Sequence, residues 1–227
     1  MATFVLLHGA GDVGWSWHLV EAELRARGHD VVAPDLPCED EATGHRETAD
    51  AVIGAVGDRQ DVVVVGHSFG GFTAPLVASW MPARVRGLVY LAAMIPAPGE
   101  RAGDWWSNTG YSQAVENQAA RDGGVTGHED PFVSFFHGVP DELAEEAMRR
   151  SRGQSRRSFE DPWPLEEHPQ VPTRFLLCRE DRFFPADFLR RLARARLGVE
   201  AEEVPGGHCV ALSHPRELAD ALETSLS

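Results

Sequence analysis

Asp61-Val62-Val63-Val64-Val65-Gly66-His67-Ser68-Phe69-Gly70-Gly71 decides how this chain folds. Four consecutive β-branched residues favour a buried strand. They end in Gly-x-Ser-x-Gly, and a helix-capable segment, Phe72 to Trp80, follows. A serine at such a junction is the signature of a nucleophile elbow, a sharp strand-to-helix turn that pushes the hydroxyl out over the end of a sheet. The flanking glycines have a steric reason. The turn strains the serine backbone, and small neighbours let strand and helix approach each other. Gly-x-Ser-x-Gly alone also describes an ordinary turn; the valines supply the strand that the elbow requires.

Short apolar strands alternate with helices on both sides of this stretch. Before it come a strand Thr3–His8, an amphipathic helix Trp17–Arg27 stopped by Gly28, a strand Asp30–Ala33 ended by Pro34, and a helix Thr48–Val56. After it comes the strand Val85–Ala92. The rhythm breaks at Pro96 and resumes at Val171 with a strand Thr173–Cys178, a helix Ala186–Arg196, a strand Glu200–Val204 and a helix from Pro215 to Leu226. Such alternation predicts an α/β fold, with a parallel sheet covered by helices on both faces. Residues 1–94 and 171–227 read as the core of a single domain. The stretch 95–170 holds Trp105, Trp106, Phe132, Phe135, Phe136 and Trp163 among many Gly and Pro, with one clear helix, Asp141–Arg150. It is too irregular for a core of its own and reads as an insertion over the sheet.

The 227 residues are 43% hydrophobic with a formal net charge of −14. That is ample for one buried core. The acidic balance disfavours a nucleic-acid partner, because phosphate backbones are repelled. No apolar run reaches the roughly 18 residues of a membrane span. Met1 to His8 enters a strand without a basic region, so no signal peptide and no membrane association are expected. Cys38, Cys178 and Cys209 are odd in number and widely spaced. They form no zinc or redox pattern, which leads to the expectation of reduced thiols in a cytoplasmic protein. All 21 basic residues are arginine. Without lysine there is no Walker-type phosphate loop and no Schiff-base chemistry.

A serine hydroxyl is a poor nucleophile until a base takes its proton, and the base needs an acid to fix its tautomer. In sheets with an elbow these follow in the order Ser, acid, His, each after a strand. Ser68 follows the valine strand, Asp181 follows Thr173–Cys178 and His208 follows Glu200–Val204 through Pro205-Gly206-Gly207. Glu180 and Asp187 are rival carboxylates. His8 and His67 suit hydrogen bonding around the elbow. An oxyanion hole needs two backbone N–H groups, expected from Phe69, next to the nucleophile, and from Ala10 in the loop after the first strand. That loop also carries a competing pattern. Gly9-Ala10-Gly11-Asp12-Val13-Gly14 matches Gly-x-Gly-x-x-Gly, and Asp35 lies where a ribose-binding acid of a dinucleotide site would sit. A dinucleotide reading would leave Ser68, Asp181 and His208 without a task.

With these residues in place, the chain resembles the α/β-hydrolase superfamily, and within it the plant methyl-ester esterases and hydroxynitrile lyases with their bacterial relatives. The resemblance runs through Phe4–Ala10 with Gly14-Trp15-Ser16-Trp17, Gly28–Val31 with Ala33–Leu36, the elbow, Asp181–Pro185 and Gly206-Gly207-His208. It implies an α/β-hydrolase fold with about six mainly parallel strands and a helical cap at 95–170. It implies Ser68, His208 and Asp181 as nucleophile, base and acid, oxyanion donors at Ala10 and Phe69, and an apolar pocket under the cap. The lyases of this branch have threonine at the position of Gly9 and lysine at the position of Cys209. Without that cation, acyl transfer to water is favoured over cyanide release.

The expected function is therefore a serine hydrolase for small to medium, largely apolar carboxylic esters, needing no cofactor and no metal. Trp105, Trp106 and Phe135 are candidate substrate contacts. Amidase, lactonase, carbon–carbon hydrolase and lyase chemistry would use the same residues. A dinucleotide-binding protein and a non-catalytic ligand-binding member of the fold are the readings of other classes. The oligomeric state is open.

Overall fold

The computed structural model describes residues 1–224. Six strands form one sheet in which every pair is parallel: β1 (Thr3–Leu7), β2 (Asp30–Val32), β3 (Val62–His67), β4 (Val85–Leu91), β5 (Thr173–Cys178) and β6 (Ala201–Val204). Their spatial order is β2-β1-β3-β4-β5-β6. Val62 to Val65 are fully buried, as expected of a central strand covered on both faces. In register, Val64 of β3 lies between Val5 of β1 and Leu88 of β4.

The strand order has one reversal. The chain leaves β1 for the edge strand β2, then returns to the far side of β1 as β3. Loops leaving β1 and β3 therefore diverge and open a crevice beyond their carboxyl ends, where open parallel sheets hold their ligands. The Gly9–Ala10 loop and Ser68 both stand there.

The helices divide between two faces. Helix α1 (His18–Ala26) packs against the last helix, α11 (Pro215–Glu223), while α2 (His45–Val56) packs against α3 (Ala74–Trp80). The expected end of the last helix, Leu226, lies outside the described residues. Helix α2 begins three residues earlier than the apolar pattern indicates, because the Glu47 carboxylate accepts from the Gly44 N–H at 2.9 Å and closes its first turn. The segment before α1 is a separate 3-10 turn, Gly14–Trp17.

Between β4 and β5 the chain forms five helices: α4 (Ala102–Thr109), α5 (Tyr111–Asp122), α6 (Pro131–Ser134), α7 (Asp141–Arg150) and α8 (Arg157–Glu160). Buried polar contacts tie this segment to the core. The Trp105 indole donates to the Ile95 carbonyl at 2.9 Å, the Trp163 indole donates to the Phe72 carbonyl at 3.0 Å, and Arg196 donates to Glu100 at 2.8 Å. Arg196 belongs to α9 (Ala186–Leu197). A short α10 (Val210–Ser213) precedes α11. A second, smaller apolar cluster joins Val139, Ala144 and Ala147 to Leu212 of α10. Among the described residues no helix is long and apolar enough to cross a membrane.

Candidate active site

Ser68 is the residue at which β3 turns into a 3-10 turn, Ser68–Gly71. Its φ is +53°, the left-handed region that side chains rarely occupy. Such strain persists only when the surroundings overdetermine it, at a cost of about 1–3 kcal/mol. Here the Ser68 carbonyl accepts from the Met94 N–H at 2.9 Å. The glycines on either side have no room for a side chain. A Cβ on Gly66 would stand 2.6 Å from the Gly70 carbonyl oxygen, and one on Gly70 would stand 2.9 Å from the carbonyl oxygens of Leu7 and His8.

His208 reaches the same crevice from the end of β6. Its Nδ1 donates to Asp181 Oδ2 at 2.8 Å, and both residues are buried. Asp181 is held in turn. Its Oδ1 accepts from the N–H groups of Phe183 and Phe184 at 2.8 and 2.9 Å, so the carboxylate has a fixed orientation. A carboxylate on Nδ1 leaves Nε2 as the imidazole's free acceptor. The rival acids have other partners. Glu180 accepts from the Gly206 N–H and shapes the loop that carries His208, while Asp187, exposed in the first turn of α9, pairs with Arg190 at 2.7 Å. The rings of Phe135, Phe183 and Phe184 stand edge-on to His208 at 5.0–5.4 Å between centroids.

Two further histidines brace the site. His67 Nε2 donates to the His208 carbonyl at 2.9 Å. Burial, with His208 beside it, pushes the His67 pKa down to about 3, so it stays neutral. His8 Nε2 accepts from the Leu36 N–H at 3.0 Å, which leaves Nδ1 as donor to the Gly9 carbonyl at 2.8 Å. Burial lowers its pKa as well.

Ser68 and His208 line one cavity of about 230 Å³ together with Gly9 and Ala10. No direct hydrogen bond joins the two side chains. Contacts of this kind are often long before the reacting carbonyl is in place. A Cβ on Gly9 would come within 2.9 Å of Ser68 Cβ and 3.3 Å of its Oγ, so the bare glycine keeps the hydroxyl accessible. Phe69 is the second residue of the 3-10 turn, where N–H groups lack an intrahelical partner.

Sequence reasoning placed the aromatic contacts less well. Phe135 lines the cavity, but Trp105 and Trp106 do not. Trp105 is fully buried against Phe184 and Phe188, and Trp106 packs edge-on to Tyr111 at 4.9 Å. Both serve the junction between inserted helices and core. The wall is instead completed by Phe136, by Ala147 and Met148 of α7, by Leu212, and by Asp12 and Cys209. For α7 a signal existed. Its apolar residues Leu143, Ala144, Ala147 and Met148 recur at i, i+4 spacing on an otherwise charged helix.

The glycine fingerprint after β1 also has an internal explanation. Asp35 Oδ1 accepts from the Gly14 N–H at 2.8 Å, and a Cβ on Gly14 would collide with the Ala33 carbonyl. The acid that a dinucleotide ribose would need is thus engaged with the loop itself. Among the described residues no group of three His, Cys, Asp or Glu side chains is arranged to hold a metal ion.

Comparison with known proteins agrees with this architecture. The chain is 29% identical to a probable esterase, PIR7A, of Oryza sativa subsp. indica, covering 96% of this chain and 94% of the relative. It is 26% identical to an alpha-hydroxynitrile lyase of Arabidopsis thaliana, over 96% of this chain and 95% of the relative. The crystal structure of polyneuridine aldehyde esterase superposes over all of both chains with a TM-score of 0.81 at 22% identity. The model of the alpha/beta hydrolase family matches residues 4–221. A match running from β1 to α11 makes the chain a member of the alpha/beta hydrolase family.

Proposed function

We propose that this protein is a serine esterase that hydrolyses small to medium carboxylic esters without a cofactor. Ser68 attacks the ester carbonyl as His208 Nε2 takes its proton. The N–H groups of Ala10 and Phe69 hold the oxyanion, each contributing roughly 3 kcal/mol to the transition state. His208 then protonates the departing alcohol, and a water, activated by the same imidazole, releases the acid from the acyl-enzyme. Asp181 keeps the imidazole in the tautomer this cycle requires. Residues 95–170 act as the cap, with Phe135 and Met148 offering apolar contact to the substrate.

The observation that carries this reading is the His208–Asp181 hydrogen bond of 2.8 Å, set beside a strained serine in a shared cavity. The named esterases among the relatives support the choice of bond. Cys209 weighs against cyanide release, since it lines the cavity where the lyase branch carries a cation. The test is hydrolysis of p-nitrophenyl butyrate. Ser68→Ala and His208→Ala are expected to lower kcat by at least about 10³-fold, and Asp181→Asn by about 10⁴-fold through the wrong tautomer, with thermal unfolding near wild type. Variants as active as wild type would refute the assignment.

A further inference from the structure

The cavity that holds Ser68 and His208 has one carboxylate on its wall, Asp12. No arginine is among its lining residues, and the chain has no lysine. The Asp12 side chain is fixed in place. Its Oδ1 accepts from the Val13 N–H at 2.8 Å and from the Ser16 hydroxyl. Its Oδ2 takes no hydrogen bond from any described residue. The arginines nearby make no ion pair with its carboxylate, and the Arg152 Nε is buried without a hydrogen-bond partner. Arg152 donates to the carbonyl oxygens of Asp12 and Leu36 at 3.3 and 3.1 Å, and its ion-pair contact is Glu39 at 4.0 Å. Arg150 lies over the Trp15 ring at 4.8 Å and bonds Glu146 at 2.6 Å.

A half-buried carboxylate with one free oxygen, without an ion-pair partner and on a wall lined by no arginine, sorts ligands by charge. We propose that Asp12 determines specificity: the cavity prefers esters bearing an ammonium or similar cationic group and rejects esters bearing a carboxylate. The word ester rests on the function proposed above, whereas the charge preference belongs to the cavity. Asp12 also lies two residues from Ala10. A substrate cation seated on it offsets the repulsion that the carboxylate exerts on an oxyanion at the Ala10 N–H.

Equilibrium binding separates this inference from the esterase reading, because it needs no turnover. Benzylammonium, benzyl alcohol and benzoate differ mainly in charge. Calorimetric titration of the full chain at pH 7 is expected to rank them in that order, with about tenfold between successive ligands. Asp12→Asn keeps an acceptor for Val13 and Ser16 and removes the charge; it is expected to compress the spread to within about threefold. Asp12→Ser repeats the test with a different side chain. Benzoate binding as tightly as benzylammonium would overturn the proposal. So would a spread that survives both substitutions, because it would then come from the −14 surface.

Discussion

Ser68 and Gly9 have to be considered together. The strained serine presents its hydroxyl towards a loop whose nearest residue has no side chain, and one methyl group there would stand 2.9 Å from Ser68 Cβ. Gly9→Ala is therefore expected to displace either the serine or the loop carrying Ala10. Misplacement on this scale costs about 10²-fold in kcat/KM for a neutral ester. The stability cost should be about 1–3 kcal/mol. Steady-state kinetics with urea unfolding checks both, and unchanged kcat/KM would show that the loop has slack. At this scale the sequence anticipated which side chains come together, His208 on Asp181 and Ser68 in the same cavity. Ser68, Asp181 and His208 could be ordered because each follows a strand, and parallel strands bring their carboxyl ends to one edge. Asp12 was not legible as a wall residue. Nothing in its spacing separates it from an ordinary turn aspartate until the cavity is seen.

Among the elements, β3 and the helices between β4 and β5 differ in how openly they were written. A run of four buried valines has one plausible destination. Helix α5 was missed because none of its residues is fully buried, so no apolar stripe marks it between Gly110 and Gly123. The tryptophans of the insertion misled for a related reason. Large aromatic rings fill junctions as well as pockets, and Trp105 and Trp163 each spend their indole N–H on a core carbonyl. The inserted segment still shapes the cavity, through Phe135 just after α6 and Met148 of α7. Phe135→Ala should raise KM for p-nitrophenyl butyrate by about fivefold while kcat changes less, because it removes binding shared by substrate and transition state. A fall in kcat with KM unchanged would instead place Phe135 in the orientation of His208, whose ring lies 5.4 Å away.

For the whole molecule, buried and half-buried neutral histidines set the response to acid. Burial lowers the pKa values of His8, His45 and His168, and that of His67 to about 3. Below about pH 6.5 the unfolded chain binds protons that these folded sites refuse, so stability must fall as pH drops. Each site adds at most about 1.4 kcal/mol per pH unit. Urea unfolding at pH 7.5 and 5.5 should show a loss of about 1–4 kcal/mol at the lower pH. Equal stabilities would mean that these imidazoles are protonated in the folded chain. In the proposed chemistry the Ser68 hydroxyl is the reacting group. Intact-protein mass spectrometry after treatment with diethyl p-nitrophenyl phosphate tests that most directly. One diethylphosphoryl group should attach, on the peptide containing Ser68, and it should be absent from Ser68→Ala and strongly slowed in His208→Ala. An adduct that persists in Ser68→Ala, or no adduct on an active enzyme, would contradict the account.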